Sequence, residues 1–463
     1  MALDAILSHK RAEVAGRKQG ASLESLLARC TASDRDFAAA LAAGRPGFIL
    51  EIKFASPSSG VIRSGTDLSP VLSSYGRHAD AVSVLTDERF FGGSLARLAE
   101  VRGRLAQPLL CKDFILEPFQ VAEARVHGAD AILLILAAVD DTAWRACAAL
   151  AERLGMAILT EVHDEAEARR AVALGARIVG INNRNLRTLE IDMGSTPRLA
   201  PLIPRDRLVV SESGFANRAD VAALRPHADA ILVGSALMGA PDLDRATRSL
   251  VYGRTKICGL TRAEDAADAA NAGATHGGLM FAPGSPRRID AAAAREVRNA
   301  APLEWVGVFA DQSAGEIAEL ALGLDLAAVQ LHGAETPAEV ERIRALVPER
   351  CEVWKAVRIR EKIPLRQETG ADRVLLDGWT PGQLGGSGTR FDWSLLTDYP
   401  ERRRVVLAGG LGAGNVERTA RLEPWALDLS SGVESAPGRK DPARLRDFFI
   451  ARRRLPGRGD ETR

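Results

Sequence analysis

Charged residues interrupt the first strongly apolar segment of the chain, residues 48–60. Glu51 and Lys53 stand two positions apart there, so their side chains point to the same face of an extended strand. Ionised groups rarely lie deep in a sheet unless they are paired or functional. The pattern predicts a strand whose inward-facing residues at its carboxyl end do the chemistry. A solvated ion pair on a surface strand is the alternative.

Further polar residues follow at the ends of later apolar segments, namely Lys112, Glu161, Asn182, Arg184 and Glu212. Packing alone explains such a set poorly, because each buried charge is costly unless it is paired. Groups of these types supply the proton donors and acceptors of general acid–base catalysis. A structural ion network is the alternative.

The elements that would position these residues alternate between strand and helix. Strands are predicted at residues 48–53, 81–86, 108–113, 131–136, 157–162, 177–182, 208–212 and 230–234. Helical segments rich in Ala, Arg and Glu separate them. Eight parallel strands alternating with helices predict a closed (β/α)8 barrel, whose chemistry lies at the carboxyl ends of its strands.

The same pattern then restarts. A second set of strands is predicted at residues 255–260, 276–281, 305–309, 327–332, 353–357, 374–377, 405–408 and 426–430. Helical patterns at residues 3–17, 23–28 and 34–43 precede the first set. We therefore expect an α/β chain of two tandem (β/α)8 TIM barrels, residues 1–253 and 254–452, followed by a polar tail, 453–463. The first barrel carries an N-terminal helical extension that covers the barrel or its mouth.

Small residues follow the last two predicted strands of each barrel. They include Gly214, Gly234 and Ser235 in the first barrel, and Gly409, Gly410, Ser431 and Gly432 in the second. Small residues let backbone N–H groups approach an anion, and a short helix after them can direct its N-terminus at it. Two copies at matching places predict a phosphate site in each barrel.

Composition limits the classes of function. A formal net charge of +1 over 463 residues gives no basic surface for nucleic acid, and no apolar run approaches the ~20 residues of a membrane span. The five scattered cysteines form no CxxC and the seven histidines no HExxH, which argues against a metal site. We expect a cytoplasmic monomer that acts on small phosphorylated molecules without a cofactor, a nucleic-acid partner or a membrane partner.

Motifs in the first half resemble indole-3-glycerol-phosphate synthase. They are Glu51-Ile-Lys53 with Ser56-Pro-Ser, Cys111-Lys112-Asp-Phe, Thr160-Glu161-Val, Ile181-Asn182-Asn-Arg184-Asn-Leu and Ser211-Glu212-Ser213-Gly214. The second half resembles phosphoribosylanthranilate isomerase. Its motifs are Lys256-Ile-Cys258-Gly259, Phe281-Ala-Pro-Gly-Ser-Pro-Arg287, Gly307-Val-Phe, Val329-Gln330-Leu-His332-Gly, Leu376-Asp377-Gly, Gly385-Gly-Ser-Gly-Thr389 and Leu407-Ala-Gly-Gly-Leu. The fused order is similar to that of bifunctional tryptophan-biosynthesis enzymes of bacteria.

The second resemblance implies an Amadori rearrangement of an aminoaldose to an aminoketose. One group gives a proton to the ribose ring oxygen and another takes the proton from C2. By resemblance, Cys258 is the base, Asp377 is the acid and Arg287 holds the anthranilate carboxylate. Gln330 and His332 are implied substrate contacts. The alternatives are a buried apolar cysteine and a solvated loop arginine.

The first resemblance implies closure of an indole ring with loss of CO₂ and water. Lys112 would protonate the ketone oxygen and Glu161 would act as general acid and base in the dehydration. Lys53 would neutralise a substrate carboxylate or phosphate and share the acid role, so the main acid among the two lysines stays open. The remaining implied residues are Glu51 and Glu212 for the cationic intermediate, Asn182 for the hydroxyl, and Ser56, Phe91, Arg184 and Ser213 for the substrate.

Two rival functions fit a barrel with these residues. One is a Schiff-base aldolase that uses Lys53 or Lys112 as its nucleophile. The other is a metabolite-binding tandem barrel without catalysis, which would not need both an acid and a base at each mouth.

Overall fold

The computed structural model describes residues 2–43, 46–65, 67–359, 363–378, 391–455 and 458. The chain divides into two compact units, Met1–Thr247 with Leu455–Arg463, and Arg248–Arg454. Each unit contains one closed barrel of eight parallel strands, which confirms the predicted pair of (β/α)8 barrels. The exact domain boundary and the polar tail stay predictions.

The strands of the first barrel lie where the sequence predicts them. Their bounds are Gly47–Ile52, Ala81–Leu85, Leu109–Lys112, Ala131–Ile135, Ala157–Val162, Ile178–Asn182, Leu208–Glu212 and Ala230–Val233. Strands that follow one another in the chain are neighbours, and the first strand pairs with the last to close the ring. All eight carboxyl ends therefore meet at one mouth. A short hairpin of Ala55–Ser56 and Gly60–Val61 follows the first strand.

Helices follow these strands along the chain. Their bounds are Ser69–His78, Glu88–Phe91, Leu95–Arg102, Pro118–Val126, Asp141–Arg153, Glu165–Leu174, Ser195–Leu199, Arg218–Leu224, Ser235–Met238 and Leu243–Tyr252, with a 3₁₀ turn at Ala200–Leu202. Several begin at a side chain that accepts a backbone N–H, such as Asp140 and Asp164. Such N-caps define where each mouth loop ends and its helix begins.

Three helices, Ala2–Gly20, Leu23–Leu27 and Phe37–Ala43, precede the first strand. Leu3 and Ile6 of the first helix line the cavity at the barrel mouth. The fully buried Lys10 ammonium of the same helix lies 2.9 Å from carboxylates of both Asp87 and Asp113, which belong to mouth loops. These contacts hold the helix over the mouth and confirm the predicted extension.

The second barrel also has its strands at the predicted places. They are Thr255–Cys258, His276–Met280, Glu304–Phe309, Ala328–Leu331, Glu352–Ile359, Arg373–Gly378, Val405–Leu407 and Ala426–Leu429. The helices are Ala263–Ala272, Ala291–Asn299, Ala314–Gly323, Pro337–Leu346, Arg366–Thr369 and Pro442–Arg453, with 3₁₀ turns at Trp393–Leu396, Arg402–Arg404, Val416–Arg421 and Ser431–Val433. Strands Glu434–Ala436 and Arg439–Lys440 pair as an antiparallel hairpin.

Apolar side chains fill the interior of each barrel. The first core combines residues from its strands with residues from the N-terminal helices, including Ile49, Ala81, Leu110, Leu159, Val210, Phe37 and Leu41. The second contains Val306, Ala328, Trp354, Leu375, Val406, Ala408 and Ala426. A cavity lies at the mouth of each barrel. Among the helices of the described residues, none has the length and apolar character that a bilayer crossing requires.

Candidate active sites

The mouth of the first barrel holds a cavity of ≈340 Å³. Every site residue predicted for the first half lines it, namely Glu51, Lys53, Ser56, Phe91, Lys112, Glu161, Asn182, Arg184, Glu212, Ser213, Gly214, Gly234 and Ser235. They come from separate strands and the loops after them, so only the closed barrel brings them together.

Glu51 and Lys53 form an ion pair at the end of the first strand. Lys53 Nζ lies 2.7 Å from Glu51 Oε1, and the two side chains are 16% and 3% exposed. The Ser83 hydroxyl donates to Glu51 Oε2 at 3.4 Å. The pair is therefore enclosed within the mouth, and the alternative of a solvated surface pair is wrong.

Lys112 bridges two glutamates from the fifth and seventh strands. Its Nζ donates to Glu161 Oε2 at 2.8 Å and to Glu212 Oε2 at 2.9 Å. Both carboxylates are 2% exposed. Because Lys112 is shared between two buried carboxylates, their charges are fully offset only with the help of a further positive charge or a proton.

The two glutamates differ in how they hold a proton. Burial opposes the charges of Lys112 and Glu161, but their mutual attraction outweighs it, so the pKa of Lys112 is raised and that of Glu161 is lowered. Burial raises the pKa of Glu212 to about 7, with Glu161 adding to the effect and Lys112 opposing it. Environments that separate the pKa values of two neighbouring carboxyls supply both a base and an acid. Here the carboxyl that retains a proton more readily is Glu212.

Asn182 and a histidine complete the surroundings of Glu161. Asn182 Nδ2 donates to Glu161 Oε1 at 3.1 Å, and His163 Nε2 lies 3.2 Å from the same oxygen. His163 Nδ1 lies 3.1 Å from Glu167 Oε2. Burial opposes the histidine's charge, but the two glutamates raise its pKa to about 10, so its imidazolium also keeps Glu161 ionised.

Sequence reasoning missed His163. Its signal was its position two residues after Glu161, which places both side chains on one face of the strand end.

The rest of the first mouth combines aromatic and polar walls. The Phe91 ring lies 6.1 Å from that of Phe114, which gives an apolar surface suited to an aromatic ligand. Arg184 donates to the Leu189 carbonyl at 2.7 Å, and Ser56 Oγ accepts the backbone N–H of Ser59 at 3.2 Å. The mouth therefore provides an apolar wall together with polar groups at its rim.

The small residues at the ends of the last two strands have special backbone conformations or close neighbours. Ser213 and Gly214 have φ of 67° and 95°, a left-handed region that costs energy for the serine. A Cβ on Gly234 would collide with the Glu51 carboxylate. Gly234 is therefore needed for the position of Glu51 as well as for any approach of a phosphate to the backbone. Ser235 begins the helix Ser235–Met238.

The mouth of the second barrel holds a cavity of ≈480 Å³. Every site residue predicted for the second half lines it, namely Cys258, Arg287, Gln330, His332, Asp377, Gly409, Gly410, Ser431 and Gly432. The predicted motif at residues 385–389 lies outside the described residues.

Cys258 ends the first strand of this barrel beside a buried ion pair. The fully buried Lys256 ammonium lies 3.0 Å from Asp428 Oδ2. Burial raises the pKa of the Cys258 thiol, while the Lys256 ammonium opposes that rise. A cysteine with a charged neighbour on its own strand differs from an inert apolar cysteine. The sequence motif contained Lys256, but the role of Asp428 was missed.

Asp377 lies at the end of the sixth strand, with its Oδ1 accepting the N–H of Gly378 at 2.8 Å. Gln330 Nε2 lies 2.5 Å from His332 Nε2. Burial, with nearby cations including Lys256, lowers the pKa of His332 to about 3. The imidazole is therefore neutral and can accept the amide hydrogen of Gln330.

Arg287 forms a two-point ion pair with Glu434. Its Nε donates to Oε1 at 2.9 Å and its Nη2 to Oε2 at 2.7 Å, and the arginine side chain is 12% exposed. The alternative of a solvated loop arginine is therefore wrong. Sequence reasoning missed Glu434, because its partner lies 147 positions away in the chain.

The glycines of the second mouth, like those of the first, have positive φ angles or leave no space for a Cβ atom. Gly409 and Gly410 have φ of 85° and 64°, and a Cβ on Gly432 would collide with the Leu411 carbonyl. Ser431 begins the 3₁₀ turn Ser431–Val433. Only glycine meets these conditions without strain, and the exposed backbone can approach an anion closely.

Metal-ligating side chains do not gather in the part of the chain that the structure describes. Within it, no group of three or more His, Cys, Asp or Glu residues could hold a metal ion. The five cysteines are free thiols, and all but Cys30 are buried.

Two family models match successive parts of the chain. The model described as "Indole-3-glycerol phosphate synthase" matches residues 3–250. The model described as "N-(5'phosphoribosyl)anthranilate (PRA) isomerase" matches residues 255–451. The matches coincide with the two barrels.

Relatives match the chain through nearly its full length. A "Tryptophan biosynthesis protein TrpCF" of Yersinia pestis is 46% identical over 451 residues, which are 97% of this chain and 94% of the relative. The TrpCF of Vibrio cholerae is 46% identical over 444 residues, 96% of this chain and 94% of the relative. A crystal structure of phosphoribosyl anthranilate isomerase from Thermus thermophilus is 41% identical, with a TM-score of 0.38, over 43% of this chain and 97% of that chain.

Proposed function

The chain belongs to the bifunctional TrpCF family of tryptophan biosynthesis proteins, and we propose that each barrel mouth described above is the active site of one of its two activities. The C-terminal barrel isomerises N-(5-phosphoribosyl)anthranilate to 1-(2-carboxyphenylamino)-1-deoxyribulose 5-phosphate. The N-terminal barrel converts this aminoketose to indole-3-glycerol phosphate, CO₂ and water. The observation that carries the assignment of the sites is that proton donors and acceptors from separate strands line a cavity at each mouth.

In the isomerase barrel, Cys258 takes the C2 proton and Asp377 gives a proton to the ribose ring oxygen. Both line the same cavity and end different strands, so a ring bound between them can be approached from two sides. The Lys256 ammonium favours the thiolate that a base requires. Asp377 must carry its proton in the substrate complex, and exclusion of water by the bound ligand favours that state.

Binding in the isomerase barrel divides between the two ends of the substrate. Arg287 takes the anthranilate carboxylate, for which a planar guanidinium is suited. Gln330 and the neutral His332 offer hydrogen bonds to the sugar. The phosphate lies against the small residues of the last two strands, Gly409, Gly410, Ser431 and Gly432.

In the synthase barrel, Lys112 protonates the ketone oxygen as the anthranilate ring carbon attacks. Its ammonium lies between Glu161 and Glu212, so a proton that it gives up can be replaced from Glu212, whose pKa is raised to about 7. This geometry favours Lys112 over Lys53 as the main acid. Lys53 neutralises the substrate carboxylate or phosphate.

The steps after ring closure require both stabilisation of charge and movement of protons. Glu51 and Glu212 stabilise the cationic ring intermediate before CO₂ leaves. Glu161 then serves the dehydration, in which the hydroxyl leaves as water, and Asn182 orients that hydroxyl. Because His163 and Lys112 hold Glu161 ionised in the free enzyme, Glu161 begins this step as a base and must gain its proton during the reaction.

The substrate of the synthase barrel has an aromatic end and a phosphate end. Phe91 packs against the anthranilate ring, while Ser56 and Arg184 contact its polar groups. The phosphate lies against Ser213 and the small residues after it, Gly214, Gly234 and Ser235.

The Schiff-base alternative has no support in the charges of the first mouth. A lysine nucleophile must be a neutral amine. Lys112 is held as an ammonium by Glu161 and Glu212, which raise its pKa, and Lys53 is paired with Glu51.

The direct test adds phosphoribosylanthranilate to the purified chain. Loss of anthranilate fluorescence reports the isomerase, and the rise of indole absorbance reports the synthase. We expect both signals, with the second following the first. Fluorescence loss without indole formation would contradict the assignment of the first mouth. The monomeric state and the cytoplasmic location stay predictions of the sequence.

A further inference from the structure

A buried ion pair lies beside the second mouth, outside the residues that line its cavity. Glu434 and Lys440 belong to the two strands of the hairpin that follows the last barrel strand. They are 5% and 3% exposed, and Lys440 Nζ lies 2.7 Å from Glu434 Oε1. Buried ion pairs are costly to form and add little net stability, so this pair calls for a role other than stability.

Glu434 fixes one edge of the Arg287 guanidinium. Among the described residues, its carboxylate engages Nε and Nη2, so Nη1 stays available to an anion in the cavity that Arg287 lines. A Cβ on Gly259 would collide with Arg287 Cδ, so the arginine stem is also packed tightly against the chain after Cys258. The orientation of the guanidinium is therefore set before any ligand binds.

Lys440 connects the same pair to the backbone of Cys258. Its Nζ donates to the Cys258 carbonyl at 2.6 Å and to Glu434 at 2.7 Å. The charged groups that act on the Cys258 thiol include Lys256 on its own strand, Asp428 on the neighbouring strand and Lys440 on the hairpin. The charge of Arg287 also interacts with that of the Cys258 thiolate.

We propose that Glu434 and Lys440 are positioning residues of the isomerase site, which rests on the roles proposed above for Arg287 and Cys258. Glu434 binds the Nε and Nη2 edge of the guanidinium and thereby directs Nη1 at the substrate carboxylate. Lys440 fixes the backbone of Cys258 and places a positive charge beside its thiolate. The hairpin thus couples the group that binds the substrate to the group that removes its proton. Burial raises the pKa of the thiol and Lys440 lowers it, while burial lowers the pKa of Lys440 and Glu434 opposes that change.

The first test is Glu434→Gln in the full chain. We expect the KM of the isomerase for phosphoribosylanthranilate to rise about 10-fold with kcat little changed, as for the loss of one charge-assisted hydrogen bond. The control is Glu352→Gln, because Glu352 makes the same two-point pair with Arg373 at the opposite end of the barrel, at 2.7 and 2.8 Å. An unchanged KM overturns the role of Glu434. A lowered KM would show that Glu434 competes with the substrate and would overturn it equally.

The second test is Lys440→Gln, which keeps a hydrogen-bond donor and removes the charge. The rate of Cys258 alkylation by iodoacetamide is followed against pH by mass spectrometry of its peptide, which needs no enzyme activity. We expect the midpoint to rise by about one pH unit and Lys440→Arg to restore it. The control is Lys355→Gln, because Lys355 likewise donates to a carbonyl and a carboxylate, those of Gly333 and Glu335.

The outcomes separate this inference from the proposed function. An unchanged alkylation midpoint in folded Lys440→Gln overturns the role of Lys440, whatever the enzyme does. If the alkylation midpoint shifts in Lys440→Gln but Cys258→Ala still isomerises its substrate, Cys258 is not the base. The electrostatic effect of Lys440 on the Cys258 thiol would still be supported. Folding is checked by circular dichroism, and if Lys440→Gln does not fold, the alkylation midpoint of Lys440→Met decides the role of Lys440, while the KM of Glu434→Gln decides that of Glu434.

Discussion

Replacing Lys112 with Met removes the ammonium that two buried carboxylates share. The ammonium lies 2.8 and 2.9 Å from Glu161 and Glu212. At an effective dielectric constant of about 20, each contact is worth roughly 6 kcal/mol before desolvation is counted. Breaking a buried pair by removing one partner costs roughly 3–5 kcal/mol, so we expect a loss of that size in the free energy of unfolding at pH 7.5.

The loss of stability in Lys112→Met should be smaller at low pH than at high pH. Lys112 lowers the pKa of Glu161 in the folded protein, so this contribution is present above the unfolded pKa of the carboxyl and is lost as pH falls. In the variant, burial raises the pKa of Glu212 further, and only His163 still opposes the effect of burial on the pKa of Glu161. The difference in stability between the two proteins should therefore shrink below about pH 5 and grow above it, as measured by urea unfolding.

Activity provides the second measurement on Lys112→Met. We expect indole formation to fall at least 100-fold, a size typical of losing a general acid, while the aminoketose accumulates because the isomerase barrel is untouched. The matched control is Arg102→Met. Arg102 is also 14% exposed and lies 2.8 Å from the buried Asp130, but it does not line the cavity. Indole formation by Lys112→Met close to that of the control would refute the reasoning.

Three further substitutions test other contacts. In Cys258→Ala, anthranilate fluorescence should stay constant after phosphoribosylanthranilate is added, while supplied aminoketose should still be converted to indole product. A normal isomerase rate would contradict the role of Cys258 as base. Gly234→Ala should lower kcat as well as raise KM in the synthase, because its Cβ displaces the Glu51 carboxylate; a change in KM alone would point to phosphate binding only. His163→Gln should cost stability fully below pH 6.5 and progressively less toward pH 10, since the folded pKa of His163 is raised from 6.5 to about 10. A difference in urea midpoint that is constant with pH would contradict the ion pair with Glu161.

Much of the fold could be predicted from the sequence. Apolar segments of strand length, each followed by a helical pattern, define all sixteen barrel strands, because strands covered on both faces must be nearly continuous in apolar residues. That these charged residues would gather at one mouth could also be predicted, since a charge at the end of such a strand, as at Lys112 or Glu161, has few structural explanations. Repetition of the pattern predicted two barrels, and the motifs indicated which reaction each performs.

The partners of these residues were decided by the tertiary structure. Nothing local in the sequence pairs Arg287 with Glu434, which lies 147 positions away, or Lys256 with Asp428, which lies 172 positions away. The sequence also could not show that Glu161 and Glu212 differ in pKa, since both are glutamates at strand ends. Their pKa values move in opposite directions because His163 and Lys112 act together on Glu161, whereas burial dominates at Glu212. Residue types and periodicity are local properties that a sequence displays, whereas charge coupling depends on distances that exist only once the barrel has closed.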